Sequence, residues 1–487
     1  MKLNDPQEKA VKTTRGRILV LAGAGSGKTR VIVHRIAYLI QSGVNPNSIL
    51  GLTFTNKAAG EMKKRVETLI GKAGKDVMLS TFHSFCMQVL RKKIEKLGYT
   101  KNFSLYDERD LSRLIQQLSR QILGHEGELP SLAPTRALLN KAANQGIKIE
   151  EKNWHDGFAK DLYIRLSSTL RAYNAVSFDT LISLTIQLFE EYPDVLEDYQ
   201  DRFQYLMIDE YQDTNPAQFR LAELLSKKHQ NICVVGDDDQ SIYGWRGGDV
   251  KNILEFKADH VIKLEQNYRS TPLILEAANA LIGHNENRHQ KKLWSNVQSQ
   301  EVIEVFNAPN DVEEAIAVTN RLLRLKKEGY KWKDMAVLYR SNSLSRQLEM
   351  ALMQASYQRS DGSWLRGIPY EVFGGLEFSE RSEIKDILAY LRVIANPKDQ
   401  EALLRIINVP RRGISDAFLD KITQENRAKN IPLWELLKTQ EKSAVQAFVN
   451  LIETARRRFE KPPFDGCLLY TSPSPRDRTR SRMPSSA

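Results

Sequence analysis

The octapeptide Ala22-Gly23-Ala24-Gly25-Ser26-Gly27-Lys28-Thr29 constrains this chain more than any other segment. It follows the apolar run Ile18-Leu19-Val20-Leu21-Ala22 and precedes Val31, Ile32, Ile36, Leu39 and Ile40 at helical spacing. It therefore reads as the turn between a buried strand and a helix. Glycines there let several backbone N–H groups converge on phosphate oxygens without Cβ collisions. The helix start turns its positive end to the same oxygens. Lys28 would reach the β- and γ-phosphates, and Thr29 would ligate Mg²⁺. The strict pattern has glycine first, where this chain has Ala22. A loop of this kind serves kinases, GTPases, transporter ATPases and helicases alike, so alone it selects none of them.

A second segment narrows the chemistry. Tyr205-Leu206-Met207-Ile208-Asp209-Glu210 is an apolar strand ending in two carboxylates. Asp209 would hold Mg²⁺ through water, and Glu210 would polarise an attacking water, which suits hydrolysis better than transfer to a metabolite. Lys28 and Asp209 stand much further apart than the few βα units of a plain phosphate-loop domain require. An inserted domain is expected between them, matching the mostly helical, polar pattern from about residue 89 to 196.

Further strand candidates are Ile49–Phe54, Ile232–Val235 and Val261–Leu264, and a second series comprises Val302–Phe306, Met335–Tyr339 and Tyr370–Phe373. Apolar strands alternating with amphipathic helices indicate parallel sheets covered on both faces. Past about 376 the pattern is helical, as in Glu383–Val393 and Ala447–Arg458. With 487 residues, about three domains are expected. The net charge of +11 suits a polyanionic partner, either nucleic acid or an anionic membrane surface, or simply a basic protein. Cys86, Cys233 and Cys467 are far apart and form no CxxC pair, as in a reducing compartment. The eight histidines have no metal-ligand spacing, so no metal beyond nucleotide-bound Mg²⁺ is expected. No apolar run could span a bilayer and no signal core opens the chain, so a cytoplasmic location is expected.

More segments then fall into one order: Leu3-Asn4-Asp5-Pro6-Gln7, Thr53–Ala59, Thr81–Phe85, Asp209–Asp213, Val235–Gly247 and Gln266-Asn267-Tyr268-Arg269-Ser270. Together with the phosphate loop they resemble the UvrD/Rep/PcrA helicases of superfamily 1, over residues 3 to about 410. The resemblance implies an α/β P-loop NTPase with two RecA-like parallel-sheet domains and helical insertions, the second RecA-like domain incomplete. It implies ATP and Mg²⁺ as cofactors. The nucleotide would be held by Gln7, which reads the adenine edge, by Ala22, Gly23, Ala24, Gly25, Ser26, Gly27, Lys28, Thr29 and Arg30, and by Tyr268, stacked on the base. Gln240 would sense the γ-phosphate, and Arg269 would act as an arginine finger.

DNA would lie on Phe54, Asn56, His83, Trp245 and Arg246, with Tyr339 and Arg340 from the second motor domain. For each lone aromatic the alternative is a packed core ring. The implied domains are 1A (1–88 and 197–270), 1B (89–196), the first part of 2A (271–375) and partial 2B (376–464). Tyr357–Arg366 looks like an inserted surface loop. From 465 the chain turns to a basic Ser/Pro/Arg tail, expected to be non-native and disordered, or else a nucleic-acid-binding tail. The later family motifs, including a second arginine finger, are not found.

The implied activity is ATP-dependent 3′–5′ travel on single-stranded DNA and unwinding at single/double-strand junctions, in repair or replication and with proteins of those processes. The alternatives are a DNA-binding ATPase that does not unwind, or the motor part of a helicase–nuclease.

Overall fold

The structure, a computed structural model, describes residues 2–124, 135–137, 139, 157–299, 302–358, 362–373, 382–429 and 431–459. The chain divides into two compact units: residues 1–299 joined by 388 onward, and residues 300–387.

The first unit is built on a parallel sheet in the order β3-β2-β6-β7-β1-β8. Its strands are β1 (Arg17–Ala22), β2 (Ile49–Thr53), β3 (Met78–Thr81), β6 (Tyr205–Ile208), β7 (Ile232–Gly236) and β8 (His260–Leu264). The inner strands β1, β2, β6 and β7 are mostly apolar because both faces are buried, while on the edge strand β8 His260, Val261 and Lys263 are exposed. Alternation along β1 divides its side chains between two cores: Ile18, Val20 and Ala22 enter one, and Leu19 and Leu21 the other. The first core is closed by α1 (Asp5–Lys12), α2 (Lys28–Gln41) and α3 (Asn56–Ile70). The second is closed by α4 (Phe82–Lys93) and the helices Thr180–Glu191 and Pro216–Ser226. Each fully buried Val, Leu or Ile in these cores contributes about 1.5–3 kcal/mol.

The expected insertion is helical, with α5 (Glu108–Leu123) packed on the helix Gly157–Ala172 around Leu114, Leu118, Leu162 and Leu166. It also contains a parallel pair that periodicity did not indicate, β4 (Ser104–Tyr106) with β5 (Ala175–Ser177). Three residues per strand are too few to show alternation. Helices from Ser382–Ala395 to Ser443–Phe459 cover the late helical segments, with their own core around Val393, Trp434 and Phe448. Asp399 accepts from Tyr106 Oη at 3.0 Å, and Asn396 donates to Ser104 Oγ at 3.0 Å, tying these helices to the insertion.

The second unit corrects three strand expectations. Val302–Phe306, Met335–Tyr339 and Tyr370–Phe373 are not strands; its sheet is the antiparallel pair β9 (Ser356–Gln358) and β10 (Trp364–Arg366), where an inserted loop was expected. Val305 is 92% and Leu338 95% exposed. An apolar run becomes a strand only when a neighbour accepts its ladder hydrogen bonds, and among the described residues these runs have none. It also contains the helices Asp311–Lys327 and Ser345–Gln354.

Cys86 and Cys233 are buried and unpaired. Among the described residues no helix is long and apolar enough to cross a membrane. The expectations for the tail from 465 lie outside the described residues.

Candidate nucleotide and nucleic-acid site

The phosphate loop leaves β1 at Ala22 and enters α2 at Lys28, at the carboxyl edge of the sheet where open α/β folds bind ligands. Gly25 and Gly27 have φ of +68° and +89°, a region that favours glycine. A Cβ on Gly25 would lie 2.6 Å from Asn267 Nδ2, and one on Gly27 would lie 2.9 Å from Gln7 Nε2. The loop is therefore bare backbone held between side chains from distant segments. Ser26 Oγ donates to Gly23 O at 2.7 Å and closes the turn.

Lys28 Nζ is buried, lies 3.4 Å from Glu210 Oε2, and makes no hydrogen bond. A buried cation in that state fits an anionic ligand such as a triphosphate. Thr29 Oγ1 stands 3.5 Å from Asp209 Oδ2, so both groups expected around Mg²⁺ face one point. Burial first, and then the neighbouring Glu210 charge, push the Asp209 carboxyl up to about 7 against the pull of Lys28. Glu210 has φ of +51°, uncommon for a side-chain-bearing residue and of a kind that clusters at functional sites.

Asn4 caps α1: its Oδ1 accepts from Gln7 N at 2.9 Å, and the Gln7 amide returns the bond to Asn4 N. Gln7 is buried and donates to Ser26 O at 2.9 Å. Asn4 Nδ2 also donates to Tyr268 Oη at 2.9 Å. Gln7, the loop and the half-exposed Tyr268 ring thus form one pocket edge. Arg30 is half-buried on the first turn of α2. Arg269 is exposed, and its N–H donates to Asn267 Oδ1 at 2.7 Å.

At the end of β7, Gln240 donates through Nε2 to Asp237 Oδ2. Gln212 bridges this segment to the β6 end: it donates to Glu210 Oε2 at 3.0 Å and accepts from Asp237 N at 3.0 Å. Three residues beyond Gln240, Tyr243 stacks on Phe54 with centroids 5.7 Å apart, and Trp245 tilts against Tyr243 at 6.4 Å. Trp245 is 75% exposed, so it is not a core ring. Arg246 belongs to the turn Gly244–Arg246; its side chain lies outside the described residues. Asn56 opens α3 and accepts from Ser84 Oγ at 3.3 Å, linking the ends of β2 and β3. His83 stacks on Phe178 at 4.1 Å, and burial lowers its pKa to about 4, leaving a neutral ring. Tyr339 and Arg340 belong to the second unit.

Gln212, Tyr243, Phe178 and Asn267 were not singled out from sequence. Gln212 and Tyr243 flank residues that were. Asn267 adjoins Tyr268 in a segment already singled out, and Phe178 is joined to the site only by its tertiary contact with His83.

A glycine loop, a buried lysine and a facing Thr–Asp pair on a parallel sheet define a P-loop nucleotide-binding α/β protein. Residues 3–261 match the model of the UvrD/REP helicase N-terminal domain, and residues 262–461 that of the UvrD-like helicase C-terminal domain. The chain belongs to the UvrD/REP helicase family. Among curated relatives it is 43% identical over 452 residues to the ATP-dependent DNA helicase PcrA of Staphylococcus epidermidis and 42% identical to that of Staphylococcus aureus. Each match covers 89% of this chain and 59% of the relative.

Proposed function

We propose that this chain is the ATP-driven motor of a DNA helicase, travelling 3′ to 5′ on one strand and separating duplex at junctions, in repair or replication. The observation that carries this reading is the single segment from Asp237 to Trp245. At one end Gln240 bonds to Asp237 beside the phosphate site; at the other the exposed Trp245 ring leans on the Tyr243–Phe54 stack. A shift of Gln240 on γ-phosphate loss would reach the base-gripping ring along a few bonds.

Gln7 and Tyr268 would hold the adenine, and Lys28 with the loop N–H groups the β- and γ-phosphates. Mg²⁺, held by Thr29 and Asp209, would neutralise charge building on the phosphate oxygens. Glu210 would orient the attacking water, and Arg269 would stabilise the charge that develops on the transferred group. Phe54, Asn56, His83, Trp245 and Arg246 would carry the strand. Aromatic faces accept any base, so the grip is independent of sequence.

The test is ATP turnover by the 487-residue chain with and without a single-stranded oligonucleotide. Stimulation is expected; equal rates would sink the motor reading. A second reading, an ATPase that binds single strands but does not separate duplex, is favoured by the two-stranded sheet of the second unit's described residues. Strand displacement on a tailed duplex separates the two.

A further inference from the structure

One buried cation beside the nucleotide site has no part in that reading. The Lys291 side chain is 2% exposed, and its Nζ lies 2.8 Å from Asp237 Oδ1, 2.7 Å from Asp238 Oδ1 and 2.7 Å from Asp239 Oδ2. Arg288, three residues earlier, makes a two-pronged pair with Asp239 at 2.6 and 2.7 Å. The same short segment touches the nucleotide site elsewhere. Leu293 lies where a Cβ on Gly23 would be, and Trp294 O accepts from Asn267 N at 2.7 Å.

Asp237 divides its two oxygens between different partners. Oδ1 faces Lys291, and Oδ2 accepts the Gln240 amide. An amide held by an unneutralised buried carboxylate would be held tightly, because charge-assisted hydrogen bonds are about twice as strong as neutral ones and low dielectric strengthens them further. With Lys291 on the other oxygen, the carboxylate charge is shared, and Gln240 can leave it for another anion.

We propose that Lys291 is a positioning residue that neutralises Asp237 so that Gln240 can exchange between that carboxylate and the γ-phosphate. Lys291 touches neither nucleotide nor DNA in this role; it sets how easily the sensor moves. The proposal rests on the motor reading and adds to it the group that tunes its coupling.

The test compares the whole chain carrying Lys291→Met with wild type in two assays. One is ATP turnover with oligo(dT); the other is oligo(dT) affinity with and without a non-hydrolysable ATP analogue. Lys291→Met should keep its KM for ATP and its nucleotide-free oligonucleotide affinity. Its DNA-stimulated kcat should fall on the order of 10²-fold, the usual cost of a misplacement near 1 Å. The response of DNA affinity to the analogue should vanish, and Lys291→Arg should recover much of both.

Removing a buried cation can also unfold the corner. Lys291→Met with Asp238→Asn rebalances the charge while leaving Asp237 without its cation. That double variant should melt near wild type yet stay uncoupled. A folded variant with wild-type kcat and analogue response overturns the proposal. So does a loss of kcat matched by equal losses of nucleotide and DNA binding, which marks a structural lysine. If wild-type DNA affinity ignores nucleotide, the motor reading falls and takes the coupling with it; if only the variants behave as wild type, the coupling alone falls.

Discussion

Asn267 Nδ2 donates to the carbonyl of Ala24 at 2.6 Å, while its Oδ1 accepts from the backbone N–H groups of Arg269 and Ser270, each at 2.7 Å. One buried amide therefore ties the phosphate loop to the backbone of the proposed arginine finger. Asn267→Leu would leave partly buried polar groups unpaired on both sides, at up to about 1 kcal/mol each. The variant should melt at lower temperature and hydrolyse bound ATP more slowly in a single turnover. Unchanged single-turnover rates would mean that Arg269 needs no such anchor.

Lys28 is expected to serve the ligand rather than the fold. Its buried Nζ makes no hydrogen bond, so removing it also removes a desolvation cost. Lys28→Ala should abolish DNA-stimulated ATP turnover, while the desolvation cost it removes offsets part of what the lost 3.4 Å ion pair with Glu210 contributed to the nucleotide-free melting temperature. Retained turnover would show that the phosphate site is misassigned.

Trp245 stands out from its turn, so little of its ring is lost to the fold on truncation. Trp245→Ala should weaken oligonucleotide binding by about 1–3 kcal/mol, the worth of one stacked base, with no change in melting temperature. Fluorescence anisotropy with a labelled oligo(dT) measures it. Undiminished affinity would place the base elsewhere.

Asp209 gives a pH dependence whose sign can be worked out. Burial and Glu210 raise its folded pKa to about 7, above the ordinary carboxylate value. Its contribution is therefore fully present below the ordinary carboxylate value of 3.8 and is lost as pH rises from there to about 7. In metal-free protein, Asp209→Asn should flatten the fall in melting temperature across that window. Mg²⁺ needs the carboxylate, so in wild type added Mg²⁺ should stabilise more at about pH 8 than at about pH 6. An identical Mg²⁺ effect at both values would argue against Asp209 as a ligand.

Much of the candidate nucleotide site was legible because its parts are local. Gly23 to Thr29 carry their conformation in their own glycines, and the apolar strand before Asp209 ends where two carboxylates must emerge. β1, β2, β6 and β7 were legible because burial on both faces demands nearly uninterrupted apolar runs, whereas β3, with Ser80 and Thr81 in its four residues, was not expected. The runs at Val302–Phe306 and Met335–Tyr339 carry the same signal without becoming strands, because pairing depends on a neighbour that their own composition cannot specify. β4 and β5 were too short to leave a period.

The sequence by itself determined the phosphate loop, the acidic strand end and the two-sided first sheet, since each follows from side chains close together in the chain. Only the tertiary structure decided that Lys291 reaches Asp238 across 53 positions, that Asn267 clamps Ala24 across 243, and that Phe54 meets Tyr243. Those contacts are between groups whose sequence neighbours give no sign of the partner. They form because parallel crossovers return distant strand ends to one edge of the sheet, where burial makes each unpaired charge or amide costly enough to require its partner.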